Sequence, residues 1–136
     1  MILPDLPIRT QSEGNLREHW GAKHKRHTAQ RRELFRALEG VARPRLPATI
    51  TLTRIAPRKL DRDDNLTNAF KSIKDIIAWW LCMERRDYPL TILWAGVRHK
   101  IGQYDGDPRL TWLYAQERGA PKYYAVRIEI EEDGNG

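Results

Sequence analysis

The sequence predicts an α+β fold in a single domain, residues 1–136: a small mixed sheet with a C-terminal hairpin, packed by two or three helices. Three observations carry this. Thr49–Ile55 is a short alternating run of β-branched residues, the pattern of a half-buried strand. Leu66, Ala69, Phe70, Ile73, Ile76, Ile77, Trp80 and Leu81 recur at helical spacing and give one wide apolar face. Leu110, Trp112 and Tyr114 alternate on one further strand, and Tyr124, Val126, Ile128 and Ile130 on another. Arg118-Gly-Ala-Pro121 turns between those two, which reads as a hairpin.

Taken in order, the chain opens on a lead-in punctuated by Pro4 and Pro7. Ser12 is placed to cap a helix that runs to about Glu39 and stops at Gly40. Its stripe, Leu16, Trp20, His24, His27, Arg31, Leu34 and Leu38, is apolar at the ends and basic in the middle. Such a helix packs at its ends and leaves Lys23 to Arg32 in water or against an anion. Arg43–Pro47 is a linker to the first strand. Asp63 or Asp64 caps the apolar helix that follows the strand. Residues 84–101 read as a helix starting at Asp87-Tyr-Pro89, with a strand at Thr91–Trp94 as the alternative. The loop Gln103–Pro108 then leads into the hairpin.

Composition narrows the class. The chain is 40% hydrophobic and 31% charged, the balance of a globular protein rather than a disordered tail. Cys82 is the one cysteine, so an internal disulfide and a cysteine zinc site are both excluded. The longest apolar runs, Ile76–Met83 and Pro89–Val97, fall far short of the ~20 residues that span a bilayer. With no basic leader or long apolar stretch at Met1, a cytoplasmic location is expected. Residues 1–60 hold 13 basic and 5 acidic side chains, whereas residues 61–136 hold 11 and 13. A basic first half suits a polyanion. Lys23, Lys25, Arg26, Arg31 and Arg32 are the candidate phosphate contacts, with a solvated helix face as the plain alternative.

The acidic residues cluster. Asp61, Asp63 and Asp64 fall within four residues, between a strand end and a helix start. Carboxylates so close repel, and a hard divalent cation such as Mg²⁺ relieves the conflict while keeping waters for a phosphate-bearing substrate. Capping and solvation are the alternative. Asp105 and Asp107 form a second acidic pair, in a Gly/Pro loop able to fold back over the first. Carboxylates from two chain segments suit metal-assisted phosphodiester hydrolysis. Asp64, Asn68, Lys71 and Asp75 share one polar helix face, from which Lys71 can lean back toward the metal to hold a phosphate, unless it is an ordinary surface lysine. The histidines offer no HExxH pair, and no phosphate-cradling glycine loop occurs.

The stretch Arg58-Lys-Leu-Asp-Arg-Asp-Asp-Asn-Leu66, on through Lys71 and Asp75, resembles the Asp-x-Asp-Asn-Leu signature of RusA-type Holliday junction resolvases. The later Gly102-Gln-Tyr-Asp-Gly-Asp-Pro-Arg-Leu-Thr-Trp112 run is similar to a loop of the phage and prophage branch of that family. The resemblance extends from about Pro7 to Ile130. It implies a homodimeric endonuclease that resolves four-way DNA junctions in recombination and repair, with Mg²⁺, or Mn²⁺ in its place, as cofactor. By motif, Asp64 and Asp105 would be metal ligands, and Asp61 the third, with Asp63 its rival because Arg62 occupies the family's first aspartate position. The family's assisting lysine falls on Asn68, so Lys71 would stand in for it. Residues 82–100 look like an insertion, expected to join a dimer contact with Trp79, Trp80 and Trp94, unless these rings simply thicken the monomer core. The departures leave two alternatives: a DNA-binding relative with impaired catalysis, and a nuclease for branched DNA generally.

Overall fold

Ala48–Ala56 forms the strand β1, and its burial pattern explains its place. The first residues alternate, as the sequence predicts, but Leu52, Thr53, Arg54, Ile55 and Ala56 are buried in succession, so both faces of this end are covered. Buried backbone N–H and C=O groups must be paired, which requires a neighbour on each edge. The computed structural model, which describes residues 1–10, 20–60, 64–83 and 104–134, supplies both. Leu110–Arg118 (β2) lies parallel to β1 on one side, and Ala125–Glu132 (β3) lies antiparallel on the other. The sheet order is β2-β1-β3. Helices pack on this mixed sheet, and the fold is α+β.

The expected hairpin is therefore corrected. The two C-terminal strands flank β1 instead of pairing with each other. The chain between them passes over the C-terminal end of β1, where the Gly119 N–H donates to the Ala56 carbonyl at 2.9 Å. A Cβ on Gly119 would lie 3.0 Å from Ile55 Cγ2 and 3.3 Å from Tyr123 Cδ1, so the crossing fits because this residue has no side chain. Alternation predicts the strands correctly, but it carries no information about which strand each one pairs with.

The far edge of β3 is covered by the lead-in. Leu3 N–H donates to Ile128 O at 3.0 Å, and Leu6 and Val126 exchange both backbone bonds at 2.9 and 3.0 Å. Pro4 and Pro7 have no N–H to give, which keeps this pairing to isolated bridges, Ile2 with Glu129 and Leu6 with Val126.

Trp20–Leu38 (α1) is the described part of the first predicted helix, and Gly40 follows it with φ +77°, a conformation glycine adopts without strain. The predicted apolar helix exists as two pieces, Asp64–Ala69 (α2) and Lys71–Cys82 (α3), separated at Phe70. Phe70 has φ −98° and ψ 6°, and its N–H reaches back three residues to Thr67 O at 3.2 Å, which closes α2. The apolar stripe itself is intact: all eight of its residues are buried. Trp80, Phe70, Ile73, Ile76, Ile77 and Leu81 meet Ile50, Leu52, Ile128 and Ile130 of the sheet and Leu34 and Leu38 of α1 in one core.

Trp79 and Trp80 also correct an expectation. They are 4% and 1% exposed, with Trp79 edge-on to Phe35 at 5.6 Å, so both rings belong to the core and offer no surface to a partner. Trp94 and residues 84–100 of the suspected insertion lie outside the described residues; Cys82 and Met83 end α3 within the core.

Among the described residues, Arg54 is the one charged residue whose side chain is buried. Its guanidinium donates to Arg58 O at 2.7 Å and, at 3.5 Å, to Thr10 O. Desolvation lowers its pKa, and the nearby Arg9 charge acts in the same direction.

Gly119→Val is expected to cost about 1–3 kcal/mol, the range for forcing methyl groups into packed space. Urea unfolding monitored by tryptophan fluorescence reads it; a variant as stable as the wild type would mean that the crossing has room to spare.

Candidate functional site

The loop before β2 is shaped by its own side chains. Asp107 N–H donates to Tyr104 O and Leu110 N–H to Asp107 O, both at 3.0 Å, which folds Tyr104–Leu110 into consecutive turns. The Asp107 carboxylate accepts both arms of Arg109, at 2.8 and 3.0 Å, and the Arg109 N–H at 2.9 Å. These bonds, helped by the Cys82 thiol, hold its pKa down at about 2. Asp107 is thus committed to the loop's structure. Its neighbour Asp105 is anchored through the main chain, where its carbonyl accepts Trp112 Nε1–H at 3.1 Å. That anchor holds the Asp105 main chain without using its carboxylate.

Its partner is Asp75 on α3. Burial raises the Asp75 pKa, and the charge of Asp105 raises it further; Lys71, Arg31 and Lys74 pull it down without cancelling the effect. Two carboxylates from segments thirty residues apart in sequence therefore share one electrostatic environment. Lys71 precedes Asp75 by one helical turn, so the two lie on the same face of α3. Lys74 sits against the sheet, with Nζ 5.2 Å from the Trp112 ring centre and 5.8 Å from that of Tyr114.

Arg31 arrives from α1. The Ser72 hydroxyl donates to Gln30 Oε1, Gln30 Nε2–H donates to Arg9 O at 3.2 Å, and Phe35 meets Trp79. Contacts at Gln30–Ser72 and Phe35–Trp79 climb both helices in the same sense, so α1 and α3 lie side by side in parallel, and the charge of Arg31 acts on Asp75 across them. The basic centre of α1, expected to stay in water or against an anion, therefore divides between the helix pair and solvent. Gln30 is buried and Arg31 and Arg26 half-buried, while Lys25 and Arg32 are exposed. The stripe of α1 is answered by a polar patch on α3, Ser72 and Asp75, which is why its middle is basic and polar rather than apolar.

Of the acidic residues singled out in the sequence, Asp105 is part of this cluster and Asp61 and Asp63 lie outside the described residues. For Asp64 the structure describes its position at the start of α2, and for Lys23 its position in α1. Lys71 joins the acidic pair. Asp75 is the functional candidate that sequence reasoning placed on a polar face without assigning a role. Its signal was the i, i+4 spacing from Lys71. The break at Phe70 also corrects the idea of one continuous face from Asp64 to Asp75: Asp64 and Asn68 lie on α2, Lys71 and Asp75 on α3.

The donor set of the cluster is hard oxygen, the chemistry that suits Mg²⁺ rather than a soft metal. Among the described residues no three His, Cys, Asp or Glu side chains gather as a metal site, and Asp75 with Asp105 supplies two carboxylates. Among them, too, no helix is long and apolar enough to cross a membrane. Comparison with protein-family models, with curated proteins and with solved structures gives no match to the chain.

A carboxyl whose folded pKa is raised binds a proton more readily in the folded than in the unfolded chain. Stability from Asp75 is therefore lost as pH climbs from its ordinary 3.8 through the raised value, and stays lower above it. Asp75→Asn is expected to gain stability over the wild type progressively across that climb and to hold the gain at neutral pH. Paired urea titrations from pH 4 to 8 check this; a difference that does not grow with pH would place Asp75 in a neutralising ion pair.

Proposed function

We propose that the protein is a metal-dependent endonuclease of the RusA type that cuts branched DNA, four-way junctions above all. The observation that carries this reading is the convergence of Asp75 and Asp105, opposed by Lys71 and Arg31, beside the helix that begins at Asp64. Carboxylates and cations alternating in one small patch suit a substrate that is itself anionic and needs a cation to approach. The sequence resemblance supports the same reading through Asp61 to Leu66 and Tyr104 to Pro108, stretches that include Asp64 and Asp105 themselves.

In this scheme Asp61, Asp64 and Asp105 hold Mg²⁺, or Mn²⁺, with Asp75 beside them. The cation would supply charge neutralisation of a phosphodiester and activation of water. The chain's own residues do the rest. Lys71 holds a phosphate oxygen and stabilises the charge that develops on it. Lys25 and Arg32, exposed on α1, take phosphates further along the strand, and Lys23 and Arg26 extend that row. Arg31, turned toward Asp75, tunes the acidic pair instead. Symmetric cutting of a four-way junction needs two such sites related by a two-fold axis, so the working unit is a C₂ homodimer. A relative that binds without cutting is the second reading. The observation that favours it is Asn68, an exposed amide where the resemblance asks for lysine.

Synthetic four-way junctions incubated with Mg²⁺ are expected to be cut into paired nicks, with linear duplex left intact. Asp105→Asn should abolish cutting while junction binding stays level or tightens, and Lys71→Met should slow it by about 10²–10³-fold, the range for losing one transition-state donor. Light scattering of the wild-type complex should give two protomers per junction. Binding without cutting would favour the second reading; binding of neither junction nor duplex would overturn both.

Junction affinity should fall steeply with salt. The double variant Lys25→Gln, Arg32→Gln should shallow the log–log slope by about two units, close to one per lost phosphate contact. An unchanged slope would leave those side chains to solvent.

A further inference from the structure

A concave surface is linked to the acidic pair through one lysine. Lys59, Leu60, Leu66, Thr67, Tyr114 and Gln116 line a cleft of about 510 Å³ between the chain leaving β1, α2 and β2. Lys74 connects the two places: its ammonium lies over Tyr114, a wall of the cleft, and acts on Asp75. The volume is within the range of roughly 300–1,000 Å³ that small organic ligands occupy.

The walls are held rigidly. Gln116 accepts from Leu60 N–H at 2.8 Å and donates to Leu60 O at 2.9 Å, so its amide clamps Lys59–Leu60 against β2. Phe70, fully buried, stacks on Tyr114 with ring centres 5.9 Å apart and planes 19° apart. The lining then divides by chemistry. Tyr114, Leu60 and Leu66 give an aromatic and apolar side. Lys59, exposed, and the half-exposed Thr67 give a cation and a hydroxyl. A base needs the first side and a phosphate the second. Both ends of the Gln116 amide are engaged by Leu60, which fixes the orientation of that side chain. Recognition here is by shape, ring contact and charge, which every base satisfies.

We infer that this cleft holds one unpaired nucleotide of a DNA strand, its base against Tyr114 and Leu66 and its phosphate at Lys59. The inference takes DNA as the ligand from the proposed function and adds what that reading lacks, a site that prefers unpaired over paired DNA. A base inside a duplex is covered on both faces and cannot enter without leaving the stack. Branch points, where pairing is interrupted, present such nucleotides beside phosphates that the acidic patch can reach.

The test uses the full chain in EDTA, so that cutting plays no part, with a short single-stranded oligodeoxynucleotide carrying one 2-aminopurine as the probe. Wild-type protein should change the probe's fluorescence on binding. Tyr114→Leu should weaken binding by about 5- to 150-fold, the span for losing one base–aromatic contact. Lys59→Gln should shallow the salt slope by about 0.7 units, the value for one phosphate of a single strand. Thr67→Glu, a surface change that spares the core, should weaken binding at least tenfold and decides the matter if Tyr114→Leu does not fold. Wild-type affinity in Thr67→Glu, or equal affinity and equal fluorescence change with the same sequence as duplex, would overturn the inference. Junction cutting scored separately keeps the readings apart: intact oligonucleotide binding without cutting sinks the nuclease and spares the cleft, whereas cutting with unaltered binding in the variants sinks the cleft alone.

Discussion

The backbone of β1 has to be satisfied on both edges because its last five residues, Leu52–Ala56, are covered on both faces and cannot turn to water. That one requirement orders the rest of the sheet. A parallel partner cannot follow directly, since parallel strands need a long crossover, and the crossover here carries α2 and α3. The antiparallel partner must then arrive on the other side, which sends the chain over the end of β1 at Gly119. The crossover helices are held down by the same strand, through Ile50 and Leu52, and α1 is held in turn by α3. The Asp75–Asp105 pair exists because this route returns the chain from α3 to the start of β2.

Like charges brought together in a half-buried place are a cost, and the fold answers it in two ways. For Asp107 the answer is local: a guanidinium two residues away satisfies both oxygens, and the carboxyl ionises readily. For Asp75 the answer is partial, because Lys71, Arg31 and Lys74 oppose the effect of its burial and of the Asp105 charge without cancelling it. The contrast separates an aspartate that is bound into its own loop from one whose charge is opposed by burial and by a like neighbour. Three aromatic residues nearby, Phe70, Trp112 and Tyr114, keep Lys74 and the cleft wall in place, so the electrostatic patch rests on a stiff surface.

Much of this was legible in the sequence, for identifiable reasons. The stripe from Leu66 to Leu81 announced its burial because a helical period survives a local break, and every one of its residues is in the core. The break itself was not legible: Phe70 fits the stripe perfectly, and only its backbone angles show that α2 ends there. Strand alternation identified β1, β2 and β3 but misassigned their pairing, since a six-residue link with Gly and Pro serves a hairpin and a crossing equally well. Charge placement was legible in part. Asp105 and Lys71 stood out by motif, whereas Asp75 and the inward turn of Arg31 depend on how α1 lies against α3, which no local pattern encodes. Trp79 and Trp80 looked like surplus apolar area for a partner; a core that wraps the whole end of α3 absorbs them.

Arg54 carries a consequence of a different kind. A single buried guanidinium donates to the carbonyls of Thr10 and Arg58, two positions far apart in sequence, one at the end of the N-terminal lead-in and the other just after β1. The planar fork can serve both at once, which a lysine's single point of charge could not do in the same geometry. Any displacement of one carbonyl changes the desolvation and hydrogen bonding of the group that also holds the other. The two chain segments are thereby tied to a single side chain at the buried end of β1.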